Sequence, residues 1–146
     1  MPRFARLFEA AADTLNAYYA AVAERNLEAV MQLWIDEEFV SCIQADGAHL
    51  HGLEKIRSGY ALQFNQGRKN IEALDVRVYD SVGTVVYAAA EVHRGPGEAE
   101  SMVFTTYVMV HEHGRWKIAH VHASTMPEDT ARQFAAKSRS RRGPLH

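Results

Sequence analysis

The chain is predicted to be one α+β domain, a curved antiparallel sheet wrapped around three N-terminal helices. Apolar residues recur at helical spacing through the first third of the sequence, whereas from Ile71 to Ser124 only extended runs rich in Val, Tyr, Thr and Phe occur, divided by turn residues. The size agrees: 146 residues, 47% hydrophobic and 23% charged, supply one core and leave little room for a second. The domain is expected over residues 1–136, followed by a basic, disordered tail over 137–146.

The first helix runs from Phe4 to about Glu24, where Leu7, Ala11, Leu15, Tyr18, Tyr19 and Val22 make one apolar stripe. Asn26 caps a second helix reaching Trp34, with Glu28 in its first turn and Leu27, Val30 and Met31 buried. Phe39 to Ile43 is a short strand, Ala45-Asp46-Gly47 a turn with Asp46 as its Asx residue, and His49-Leu50-His51 the return strand. Gly52 releases the chain into a third helix, Leu53 to about Gln66, which buries Ile56, Tyr60 and Phe64. Four long strands follow, around Leu74–Val78, Thr84–Arg94, Met102–His111 and Gly114–Ser124. Pro127-Glu128-Asp129 opens a last short helix through Ala136.

Neither face of strands four to six is plainly polar, so burial is expected on both. Helices cover one face, and a second copy of the chain is the expected cover for the other. Ala88, Ala90, Ala119, Val121 and Ala123 would form that smooth homodimer face. On the last strand, period two groups Trp116, Ile118, His120, His122 and Ser124 as the wall of a pocket.

Three helices, a hairpin before the third, then a meander ending in Gly114-x-Trp116-x-Ile118-x-His120-x-His122-x-Ser124 resemble the nuclear transport factor 2-like superfamily, in its SnoaL-like branch. Asn26-Leu27-Glu28-Ala29-Val30 with Leu33-Trp34, Val40 to Ile43, and Gly52-Leu53-Glu54-Lys55-Ile56-Arg57 with Tyr60 carry the resemblance over residues 4–125. It implies a cone-shaped, cystatin-like or ketosteroid isomerase-like fold, open at one end and commonly homodimeric, and it implies no single chemistry. The isomerase pattern on this fold places a carboxylate base on the first strand. Its counterpart here lies near Ile43, between Cys42 and Gln44, where there is no carboxylate.

The predicted cavity has its mouth by the small hairpin. His120 is the expected acid/base, since an imidazole titrates near neutrality, and Gln44 or a tyrosine orients the ligand. Tyr18, Tyr19, Trp34, Ile56, Tyr60, Phe64, Tyr107, Trp116, Ile118 and His122 are the expected ligand-binding wall. The eight histidines include three His-x-His pairs, His49/His51, His111/His113 and His120/His122. No metal and no cofactor are expected, because no third ligand is evident beside His120 and His122. Cys42 is expected in the core, without reactivity.

The expected function is binding of a small, largely apolar molecule carrying a polar group, with cofactor-independent acid/base chemistry of isomerase, cyclase or dehydratase type. A non-catalytic association module acting through its dimer surface is the alternative, and a metal-dependent enzyme using His-x-His pairs a further one. A net charge of −2 argues against nucleic acid and anionic membrane as partners, and the single cysteine and the amphipathic N-terminus point to the cytoplasm.

Overall fold

The structure, a computed structural model, describes residues 2–97 and 100–141. In chain order it contains α1 (Pro2–Ala23), α2 (Leu27–Gln32), β1 (Ser41–Ile43), β2 (His49–His51), α3 (Leu53–Asn65), β3 (Asn70–Ser81), β4 (Thr84–Arg94), β5 (Glu100–Glu112), β6 (Arg115–Thr125) and α4 (Glu128–Arg141). The six strands form one open sheet in the order β2-β1-β6-β5-β4-β3. All neighbours are antiparallel except β1 and β6, so the sheet is mixed where the sequence suggested purely antiparallel pairing.

The helices cover one face of this sheet, here called the inner face. Ala11, Leu15, Tyr18 and Val22 of α1 and Ile56, Tyr60 and Phe64 of α3 pack there against Val85, Tyr87, Tyr107, Met109 and Ile118. Each such aliphatic side chain, once buried, stabilises the fold by about 1.5–3 kcal/mol. Asn26 caps α2 as expected, accepting from the Ala29 amide at 3.1 Å. The helix ends at Gln32, short of Trp34, because the residues on either side of Trp34 bond to the backbone of β6 instead. The Ile35 amide donates to Ile118 and the Ile118 amide to Leu33.

A bulge in β6 decides which side chains meet the helices. Val108 of β5 pairs with His120 and the next residue, Met109, pairs with Ile118, leaving Ala119 unpaired. One extra residue reverses the alternation beyond it. Trp116 and Ile118 are buried on the inner face, but after Ala119 it is Val121 and Ala123 that continue there, while His122 is exposed on the other side. The period-two reading of β6 fails at this point. His120 and His122 belong to the outer face, and Val121 and Ala123 to the inner one.

The outer face is partly covered by the chain itself. Phe134 of α4 meets Phe104 of β5 edge to face at 5.9 Å between centroids, and Ala90 and Val92 are buried. α4 continues to Arg141, through the first five positions of the predicted tail; residues 142–146 lie outside the described residues. Among the described residues no helix is long and apolar enough to cross a membrane.

Candidate functional site

Glu91 is the polar residue around which the inner face is arranged. It stands on β4 in register with Val85, Tyr87 and Ala89 and is fully buried. A carboxylate that leaves water is expensive unless its lone pairs are filled. Here they are. Oε1 accepts from Thr105 Oγ1 at 2.8 Å and from His93 Nε2 at 2.7 Å; Oε2 accepts from Tyr107 Oη at 2.5 Å and from Tyr19 Oη at 2.8 Å. Two oxygens with four donors exhaust the acceptor capacity of a carboxylate. The donors come from β4 itself, from β5, where Thr105 and Tyr107 alternate inward, and from α1.

Burial, and next the Glu91 charge, push the Tyr19 and Tyr107 hydroxyls above the ordinary phenol range. Both therefore stay protonated and keep donating. Tyr18 and Tyr60 share a hydrogen bond of 2.8 Å, and burial raises both in the same way. Four tyrosine rings from α1, α3 and β5 thus touch edge to face around one buried charge.

Beside this network lies a cavity of about 60 Å³, lined among others by Gln44, Tyr60, Lys69, His93, Thr105 and Tyr107. It opens by the small hairpin, and the close seating of that hairpin on α3 sets its position. Gly59 makes this contact, since a Cβ there would collide with Leu50 Cδ1 and stand 3.2 Å from Gln44 Nε2. Lys69, between α3 and β3, is held below the ordinary ammonium range by burial, against the pull of the Glu91 and Asp46 charges. Cys42 also lines the cavity, and burial pushes its thiol up to about 11, so it remains an unreactive thiol. Asp46 does what its turn position predicts, accepting from the Ala48 amide at 2.9 Å.

The structure brings together Tyr18, Gln44, Tyr60 and Tyr107 from the predicted wall at this cavity, and places Tyr19 behind it on Glu91. Ile56, Phe64 and Ile118 are core. Trp34 and Trp116 are also buried, but they border a different surface cleft, with Thr14 and Asp36. Their indole N–H groups have no partner among the described residues. His120 is not at the cavity: the Ala119 bulge turns it outward, where its Nδ1 lies 2.7 Å from Ser41 Oγ. His122 follows it outward. Neither can serve as the pocket acid/base.

The sequence by itself does not single out Glu91, His93 and Lys69. It does carry one signal for the first of them: Glu91 is the lone charged residue in the run Val85 to Val92 and shares the parity of Tyr87 and Ala89. An isolated carboxylate on an otherwise apolar strand face marks a buried charge that needs partners.

A mixed six-stranded sheet with its helices packed on one face is the fold of nuclear transport factor 2-like and cystatin-like proteins. The chain belongs to the SnoaL-like domain family, which residues 11–128 match. A candidate dehydratase of the NTF2-like family from Streptomyces avermitilis superposes with a TM-score of 0.75 at 21% identity, over 82% of this chain and 97% of that one. A candidate calcium/calmodulin-dependent protein kinase type II association domain from Thiobacillus denitrificans gives 0.69 at 25% identity, over 78% and 93%. Among curated proteins, the F-box protein SKIP8 of Arabidopsis thaliana is 27% identical over 113 residues, 75% of this chain and 46% of that protein. The chain therefore spans about half the length of that relative.

Proposed function

We propose that the protein binds a small molecule in the cavity beside Glu91 and that His93 exchanges a proton with it. The observation that carries this reading is the Glu91–His93 pair. The carboxylate is saturated and sealed, while the histidine both contacts it and lines the cavity. The bond to Glu91 engages Nε2, which leaves Nδ1 as the nitrogen able to meet a ligand. Lys69, desolvated at the same cavity, supplies a cationic donor for a carboxylate or carbonyl oxygen, and Tyr18, Ile71 and Val121 supply apolar wall. About 60 Å³ admits only a ligand of a few heavy atoms. The ligand is accordingly a carbonyl or carboxylate compound of few heavy atoms, and the chemistry is proton transfer at its α-carbon, as isomerases and dehydratases require.

The test is a panel of short carbonyl and carboxylate compounds followed by ligand-observed NMR in heavy water. Wild type should bind at least one and exchange its α-proton. Lys69→Met should weaken that binding, and His93→Gln should keep binding while losing exchange, since an amide hydrogen-bonds but does not titrate. Failure of every compound to bind the wild type would overturn the reading.

A second reading, an association module, is supported by the tight filling of the cone by its own tyrosines and by the likeness to an association domain. It places a homodimer on the outer face. That surface consists of Ala88, Thr106 and Val108, not of Val121 and Ala123, which the bulge has turned inward. Light scattering should then give twice the chain mass, and Val108→Glu should halve it. Neither reading uses nucleic acid, membrane or a cofactor.

A further inference from the structure

We propose that His49 and His51 form a binding site for a divalent transition-metal ion on the outer face of the sheet, with His120 as third ligand. Both residues leave β2 on the same side, both are exposed, and their ring centroids lie 4.0 Å apart. Alternate residues on a strand are roughly 6.5 Å apart along the backbone, so the two rings lean toward each other. At that separation two imidazole nitrogens can share one ion, each at about 2.0–2.1 Å.

The register of β1 brings the third ligand. Ser41 pairs with His51 on one side and with His120 on the other, and Ile43 pairs with His49 and His122. Four imidazoles therefore rise in two rows across three strands. The second row is blocked by the branched Ile43 side chain between His49 and His122. In the first row only the small Ser41 hydroxyl stands between His51 and His120. Two strand spacings separate that row, about 9.5 Å at the backbone, and side chains reaching in from both sides span it.

Among the described residues no three ligating groups are gathered around one point. The third ligand joins when His120 rotates and gives up its 2.7 Å contact with Ser41 for the ion. The donors are neutral imidazoles without thiolate, which suits Cu²⁺ most, then Ni²⁺ and Zn²⁺, and does not suit Mg²⁺ or Ca²⁺. The site is on the face opposite the Glu91 cavity, so it is independent of the chemistry proposed there.

Calorimetric titration of the full chain with Ni²⁺ and Zn²⁺ at neutral pH tests the site. One ion should bind per chain, with no saturable heat from Mg²⁺. His49→Asn and His51→Asn should each lower the affinity by roughly 10- to 100-fold or more, since even outer-shell changes at metal sites reach that range. His120→Asn should weaken binding by a smaller factor, and His111→Asn should leave it unchanged. A wild-type chain that binds no ion, or an affinity unmoved by both β2 variants, would overturn the proposal, and an unmoved affinity in His120→Asn would remove the third ligand. Paramagnetic broadening of histidine ring protons by substoichiometric Cu²⁺ needs no variant: His49, His51 and His120 should broaden first. Broadening confined to His111 or His113 counts against the site.

Discussion

The two faces of the one sheet treat ionisable side chains in opposite ways. On the inner face a single carboxylate, Glu91, is fully buried and every lone pair is occupied by a donor from three different elements. On the outer face four histidines stand at or near the surface, with Ser41 bonding one of them. An inner charge survives only inside a complete network, so that network is rigid and any change in it is felt by the fold. The outer imidazoles lie at the surface, apart from His120, which is half-buried and bonded to Ser41, so changing them should touch the fold far less than a change at Glu91. Position on the sheet, more than residue type, decides what a polar group can do.

The sharpest way to break this comparison is Glu91→Ala. It strands three hydroxyls and an imidazole in the core, and should destabilise the protein by on the order of 3–5 kcal/mol in urea unfolding. A loss below about 1 kcal/mol, the range of an ordinary surface pair, would mean that the network is wet and the inner face no different from the outer. Next comes a matched pair on β6. Val121→Glu should destabilise by roughly 3 kcal/mol, because a carboxylate would enter the inner core unpaired. His122→Glu, one residue on, should stay within about 0.5 kcal/mol. Reversed magnitudes would show that Ala119 does not bulge.

The smallest effect concerns pH. Burial, then the charges of His122 and His49, hold the His120 imidazole below its ordinary value, with Ser41 pulling the other way. The unfolded chain therefore takes up this proton first as pH falls, starting near about 6.5. The stability contributed by the neutral ring is intact above that value and is lost as pH drops through it toward the folded value. The melting temperature should accordingly be flat at mildly alkaline pH and decline below it, with a shallower decline in His120→Asn. An identical decline in the variant would assign the effect to other groups.

Sequence alone determined the elements and their order, because these rest on local periodicity. The stripes of α1 and α3, the Asn26 cap, the Asp46 turn and the span Thr84–Arg94 of β4 all follow from spacing and side-chain chemistry within a few residues. Of the wall residues expected from the sequence, Tyr18, Gln44, Tyr60 and Tyr107 line one small cavity. Tertiary structure decided the rest. The bulge at Ala119 is a property of the pairing between β5 and β6, invisible to the alternation of β6 read by itself, and it exchanged His120 for Val121 on the inner face. In the same way Glu91 looks like one charge in an apolar strand until α1 and β5 bring Tyr19, Thr105 and Tyr107 to it from 72, 14 and 16 residues away. A buried charge is stable only in the company of donors distant in the chain, and that company exists only once the sheet has closed over the helices.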